Sequence, residues 1–278
     1  MTPRAQRGAA LLIGGALALL FSAIAAVQVA GWTVGSVERT NHQVIPGPVS
    51  RLEVDAAAGG DITVVRELST MPLVTVDSSV KGSIHAPVLR AVKDGTTVRI
   101  SGNCPYISFG PCRARIVIRV PAGTAVDVRA GSGDVTADGL SGNVKLETGS
   151  GDVNATGLTG DSELHTSSGD VNVRALAGAA DLRTGSGDIS GEDLGTGHLA
   201  ADTASGDVEL DFAHAPEVVD ASTASGDVDI SVPEGGTYRV EADSGSGDQH
   251  LNVKSDPAAT RILRAQTSSG DVTVGYGN

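Results

Sequence analysis

The residues best placed to do chemistry are eight aspartates that each close a Ser-Gly-Asp tripeptide: Asp134, Asp152, Asp170, Asp188, Asp207, Asp227, Asp248 and Asp271. Carboxylates repeated in Gly-rich turns are the donors of calcium-loaded β-rolls, whose G-G-x-G-x-D motif has a spaced apolar residue and a period of about nine. Here the apolar residue follows Asp directly and the period starts at 18. Calcium at Asp134, Asp152, Asp170 and Asp188 is therefore the alternative expectation. The preferred one is that each Asp caps backbone amides of its own turn. A solvated column is tolerable, since two charges about 4.8 Å apart repel by about 1 kcal/mol in water. Eight equivalent serines cannot all be nucleophiles, and no G-x-S-x-G elbow is present. His42, His85, His165, His198, His214 and His250 form no H-x-x-H or H-E-x-x-H pair. Arg129, Arg174 and Arg183 are dispersed, which argues against the basic groove of a polysaccharide lyase. No catalytic residue and no cofactor is assigned.

The elements that position these turns follow from the same repeat. Successive Asp positions step by 18, 18, 18, 19, 20, 21 and 23 residues. Val135, Val153, Val171 and Ile189 share one column; Leu140, Leu158, Leu176 and Leu194 a second; Leu146, Leu164 and Leu182 a third; Thr148, Thr166 and Thr184 a fourth. Each unit holds two short alternating segments, such as Val153-Asn154-Ala155 and Ser162-Glu163-Leu164-His165-Thr166, and alternation predicts strands with one buried face. Glycines at the corners accept positive φ. Two strands and two corners make one coil of a β-solenoid, with like residues stacked about 4.8 Å apart. The expected fold is all-β: about eight two-stranded coils over residues 123–278. Residues 49–122 read as an irregular β cap, in which Gly60-Asp61-Ile62 echoes the repeat and Val120-Pro121-Ala122-Gly123-Thr124 foreshadows Val232-Pro233-Glu234-Gly235-Gly236-Thr237. Propeller blades need about 40 residues, too many for this period.

The amino terminus sets the address. Residues 8–31 are uncharged and largely apolar behind Arg4 and Arg7. As a helix of about 36 Å they would span a bilayer core of roughly 30 Å. The basic tip, residues 1–7, would stay cytoplasmic, and residues 32–48 would link the span to an extracytoplasmic bulk. That is a single-pass cell-membrane protein. Ala23-Ile24-Ala25 also fits a signal-peptidase site, so cleavage remains the other reading. Both readings export the chain. Two cysteines in an exported chain, Cys104 and Cys112, read as one disulfide. Between them lie Tyr106, Ile107 and Phe109, either a preorganised contact tip for a partner or a lid over the end coil. All 33 acids but only 18 of the 20 bases lie beyond the apolar segment, a net −15. Such a charge repels a phosphate backbone, and 3% aromatics provides no stacking platform, so nucleic acid is excluded as a partner.

The Ser-Gly-Asp-Val repeats, the V-P-x-G-T entry strand and the Cys-Pro…Cys loop resemble the bacterial DUF4097 family, a β-strand-repeat group labelled "putative adhesin". The resemblance covers roughly residues 49–278. It implies an amino-terminal membrane helix before the repeats and offers no catalytic residues to carry over. The resulting expectation is a non-enzymatic, membrane-anchored, adhesin-like scaffold that binds a protein or a cell-wall polysaccharide. Links of some members to envelope stress give the alternative, a sensor or regulator acting through protein partners. A β-helix carbohydrate-active enzyme is the second alternative.

Overall fold

The computed structural model describes residues 37–56, 59–69, 71–82, 88–103 and 113–277. The expected membrane span 8–31 and the segment holding Cys104, Tyr106, Ile107, Phe109 and Cys112 lie outside the described residues. Among the described residues all regular elements are strands, and no helix is long and apolar enough to cross a membrane.

The chain first lays down β1 (Val37–Pro46), β2 (Arg51–Ala56), β3 (Gly60–Arg66), β4 (Leu73–Gly82), β5 (Val88–Asp94), β6 (Thr97–Asn103), β7 (Arg113–Val120) and β8 (Ala125–Ala130). Shorter strands follow: β9 (Val135–Asp138), β10 (Val144–Thr148), β11 (Val153–Thr156), β12 (Ser162–Thr166), β13 (Val171–Arg174), β14 (Ala180–Thr184), β15 (Ile189–Leu194) and β16 (His198–Thr203). The last are β17 (Val208–Phe212), β18 (Val218–Ser225), β19 (Val228–Val232), β20 (Arg239–Ser244), β21 (Gln249–Leu251), β22 (Ile262–Ser269) and β23 (Val272–Tyr276).

They form two sheets. One has 12 strands in the order β1-β4-β7-β3-β9-β11-β13-β15-β17-β19-β23-β21, the other 11 in the order β20-β22-β18-β16-β14-β12-β10-β8-β2-β6-β5. β1, β4 and β5 are antiparallel additions at one end, which is the cap. Setting them aside leaves ten strands in each sheet, and each coil takes one from each. There are thus ten coils where the tripeptide alone counted about eight. The two additional coils, β2–β3 and β6–β7, lie within residues 49–122 and lack Ser-Gly-Asp.

The columns hold their register. Leu146, Leu164 and Leu182 are direct partners and fully buried. Val135, Val153, Val171 and Ile189 are likewise partnered, and Val208, Val228 and Val272 continue the column. Alternation explains this, because period two sends every second side chain inward. The core is accordingly mostly aliphatic, with Phe212 and Tyr238 as its buried rings, and it runs through the whole stack.

Stack order departs from chain order at both ends. β2–β3 lies between β6–β7 and β8–β9, and β22–β23 lies between β18–β19 and β20–β21. Two connections therefore step over a coil: β7 to β8 and β19 to β20. These hold Val120-Pro121-Ala122-Gly123-Thr124 and Val232-Pro233-Glu234-Gly235-Gly236-Thr237. Thr124 ties the first by donating from Oγ1 to the carbonyl of Pro121 at 2.8 Å, and Gly123 and Gly235 both have positive φ, 76° and 88°.

Candidate functional site

Each Ser-Gly-Asp turn links a strand of the 11-stranded sheet to one of the 12-stranded sheet, so all eight lie along one edge of the stack. The aspartates do not cap their own turns. Asp134 Oδ1 accepts from the amide of Asp152 at 3.0 Å, Asp152 from Asp170 at 3.0 Å, and Asp170 from Asp188 at 3.0 Å. The ladder continues from Asp188 to Asp207, to Asp227, then to Asp271 and finally to Asp248. The carboxylates thus fasten neighbouring coils, and the order Asp227, Asp271, Asp248 follows the inserted coil.

Two other columns serve the same contact. Thr148, Thr166 and Thr184 donate from Oγ1 to the carbonyls of Gly133, Gly151 and Gly169 at 3.0, 2.9 and 2.8 Å. Thr203, Thr223 and Thr267 repeat the bond onto Gly187, Gly206 and Gly226. These carbonyls are also closely approached. A Cβ on Gly151 would lie 2.3 Å from the Gly133 oxygen, and one on Gly169 would lie 2.1 Å from the Gly151 oxygen. Glycine is required there because the next coil is too near for a side chain, in addition to its φ of 138° and 145°. Gly60 belongs to this column, since Gly133 packs on its carbonyl and it packs on Ala114. The echo at Gly60-Asp61-Ile62 therefore marks a coil, β2–β3.

Spacing alone did not reveal the charged zipper on the outer face of the 11-stranded sheet. Lys145 Nζ lies 2.6 Å from Glu163 and 2.9 Å from Glu147, and Arg129 Nε lies 3.0 Å from Glu147. Hydrogen bonding to Lys145 holds the Glu163 and Glu147 carboxyls below the usual range, and for Glu147 the bond to Arg129 adds to this. Both glutamates in turn raise the Lys145 ammonium, Glu163 foremost. Glu147, Glu163 and His165 are the one group among the described residues whose donor atoms converge closely enough to suit a metal ion. The Lys145 ammonium bridges its two carboxylates. The signal was in the sequence: outward positions of one 18-residue unit carry Lys and Glu, and those of the next carry Glu and His.

The sequence predicts a disulfide between Cys104 and Cys112 and offers Tyr106, Ile107 and Phe109 as a partner contact or a lid; all five fall between β6 and β7 in the chain, outside the described residues. Among the described residues, grooves lie near both ends of the stack. One of about 650 Å³ is lined by Glu38, Asp61, Lys81 and Arg115. The other, about 870 Å³, is lined by Glu217, Thr237, Lys254, Asp256 and Arg261.

A stack of parallel two-strand coils, fastened by repeated Asp, Thr and Gly columns, defines an all-β repeat scaffold. The profile of the Toastrack DUF4097 family matches residues 49–275, and the chain belongs to that family. Among solved structures, a "putative lipid binding protein" from Parabacteroides distasonis is similar at a TM-score of 0.54 and 12% identity, covering 85% of this chain and 96% of that one. A "putative adhesin" from Bacteroides fragilis is similar at a TM-score of 0.46 and 15% identity, covering 87% of this chain and 98% of that one. A "putative adhesin" from Parabacteroides merdae is similar at a TM-score of 0.33 and 13% identity, covering 87% and 96%. At such identities the likeness bears on fold alone. No curated protein matches the chain.

Proposed function

We propose that the protein is a non-enzymatic, membrane-anchored scaffold on the outer side of the cell membrane, adhesin-like in role, with a protein or cell-wall polysaccharide as its partner. One observation carries this reading. The groups the repeat multiplies are committed to coil-to-coil bonds: seven aspartates accept the amide of the next coil, and six threonines seal turn carbonyls. A repeat used in this way builds length and rigidity. Residues 8–31 supply the anchor, and Tyr106, Ile107 and Phe109, within a loop closed by Cys104 and Cys112, supply the contact.

A second reading, an envelope-stress regulator acting through a membrane protein, draws on where that loop departs. β1 carries the chain from residue 37 into the cap, and the loop leaves β6–β7 at the same end. Contact there would occur close to the membrane. A photoreactive residue at position 106, crosslinked in intact cells, separates the two. Wall polysaccharide or a protein of another cell supports the adhesin reading, and a membrane protein of the same cell supports the regulator. External protease applied to the same cells should remove the bulk and leave a membrane-bound stub. Protection of the bulk, or a released form beginning near Ala26, would refute the anchor.

A further inference from the structure

We propose that the slot between β18–β19 and β20–β21 is an acceptor for the β22–β23 coil of a second copy, so that the protein forms exchanged pairs. The slot is defined by what fills it. On one side β22 pairs with β18 from Val218↔Ile262 to Thr223↔Thr267, and Asp271 gives its amide to Asp227 Oδ1 at 2.7 Å. On the other side β20 and β21 are bonded to β22 and β23, and Asp248 gives its amide to Asp271 Oδ1 at 2.8 Å. Neither β20 nor β21 pairs with β18 or β19. The outermost coil is therefore held to the stack through the insert.

The chain makes the covering coil before it makes the insert, so every copy passes through a stage with the slot open. The insert is joined to the preceding coils by a single connection, residues 252–261. Eight of these ten residues are exposed, and extended they span about 33 Å. That reach is several times the spacing of adjacent coils, about 4.8 Å, so the connection is long enough for the coil to leave its own stack. The occupant is fixed by chemistry: an aliphatic column of Leu263, Ala265, Val272 and Val274, Thr267 for the Gly226 carbonyl, and Asp271 for both neighbours. Only this coil, from either copy, meets all of these at once. Closed and exchanged forms share the bonds of the coil itself and differ at the connection, where extension gives up the bonds of Tyr238 with Lys254 and Asp256, so local concentration decides between them only after that loss is met. Once released from Tyr238, the connection acts as a short tether that sets an effective concentration in the millimolar range, and density on a surface competes with it.

The test uses two full-length variants, D220C and R264C. Asp220 and Arg264 are registered partners on the outer face, 3.7 Å apart at their charged atoms. The variants are mixed, refolded together at high and low concentration, oxidised, and sized by light scattering. Exchange predicts a D220C–R264C crosslinked dimer that rises with refolding concentration, at least tenfold above a D220C with R129C control. Removing residues 256–260, which shortens the connection, should raise the dimer fraction further, and doubling its length with Gly-Ser should lower it. A crosslink no greater than the control, or a dimer fraction indifferent to connection length, overturns the proposal.

Discussion

Replacing Gly169 with Ala should cost far more than replacing Gly235, although both glycines have positive φ. At Gly169 the added methyl would sit 2.1 Å from the Gly151 oxygen and 2.6 Å from its carbon. Ordinary contact begins near 3.4 Å, so the two coils must part by more than 1 Å at that corner. Four hydrogen bonds cross it: Thr166 to the Gly151 carbonyl at 2.9 Å, Asp170 to Asp152 at 3.0 Å, Gly151 to Ser168 at 3.1 Å and Val153 to Asp170 at 2.9 Å. A parting of about 1 Å takes each beyond hydrogen-bond range, and each contributes about 1 kcal/mol net. Partial relaxation would save some of them, so the steric cost is about 2–4 kcal/mol. Backbone strain adds about 1–3 kcal/mol. At Gly235 nothing lies within 4 Å of the added methyl, and only the strain remains. Urea unfolding of both variants, followed by far-UV circular dichroism, measures the difference. A gap below about 1 kcal/mol would refute the view that coil proximity, and not φ alone, demands glycine in the tripeptide.

Thr166→Val keeps shape but removes the donor to the partly buried Gly151 carbonyl, and should destabilise by about 1–2 kcal/mol; Thr166→Ser keeps the bond and should cost about 1 kcal/mol for the lost methyl. Both are read from the shift in unfolding midpoint. Ala175 holds φ at 55° where its column neighbours Gly139 and Gly157 hold 66° and 65°, so Ala175→Gly should stabilise by about 0.5–1 kcal/mol. A fall in melting temperature would contradict this. Glu147 and Glu163 have lowered pKa values when folded, so their stabilisation is complete above the unfolded carboxylate range and is lost as pH falls through the folded values. Lys145→Met should therefore lower the melting temperature at pH 7 relative to the parent, with the gap closing as the solution is acidified; a constant gap would mean packing, not charge, is the cause.

The coils were legible because column and period coincide: Val153 and Val171, or Leu146 and Leu164, could stack only in one register. The order of the last coils was not legible, because β20 and β22 carry interchangeable columns. Val240 matches Leu263, Ala242 matches Ala265, and Ser244 matches Thr267. Either could follow β18 on pattern alone. The echo of Val120-Pro121 in Val232-Pro233 was visible, but what it does, carrying the chain past one coil, appears only in the sheet order. Sequence assigns the aspartates to their own turns because it displays neighbours along the chain, whereas the amide met by each of the seven accepting aspartates is 18 or more residues away. Lys145, Glu147, Glu163 and His165 were hidden among many charges, since outward positions are held to no common residue type.

The interleaved ends alter how the molecule yields to load. In a serially wound solenoid the last coil has one neighbour, and tension at the terminus peels coils singly. Here the two coils at the ends of the stack, β6–β7 and β20–β21, are both internal to the sequence, while β2–β3 and β22–β23 are each gripped on two sides. No coil is both loose in space and next to a chain terminus. Tension from the amino-terminal side first meets the edge strand β1, held by β4 alone; beyond it, tension reaching β2 or leaving through β23 must break two ladders together, so the coils themselves should behave as a stiff link that fails at one high force and not as a spring that extends stepwise.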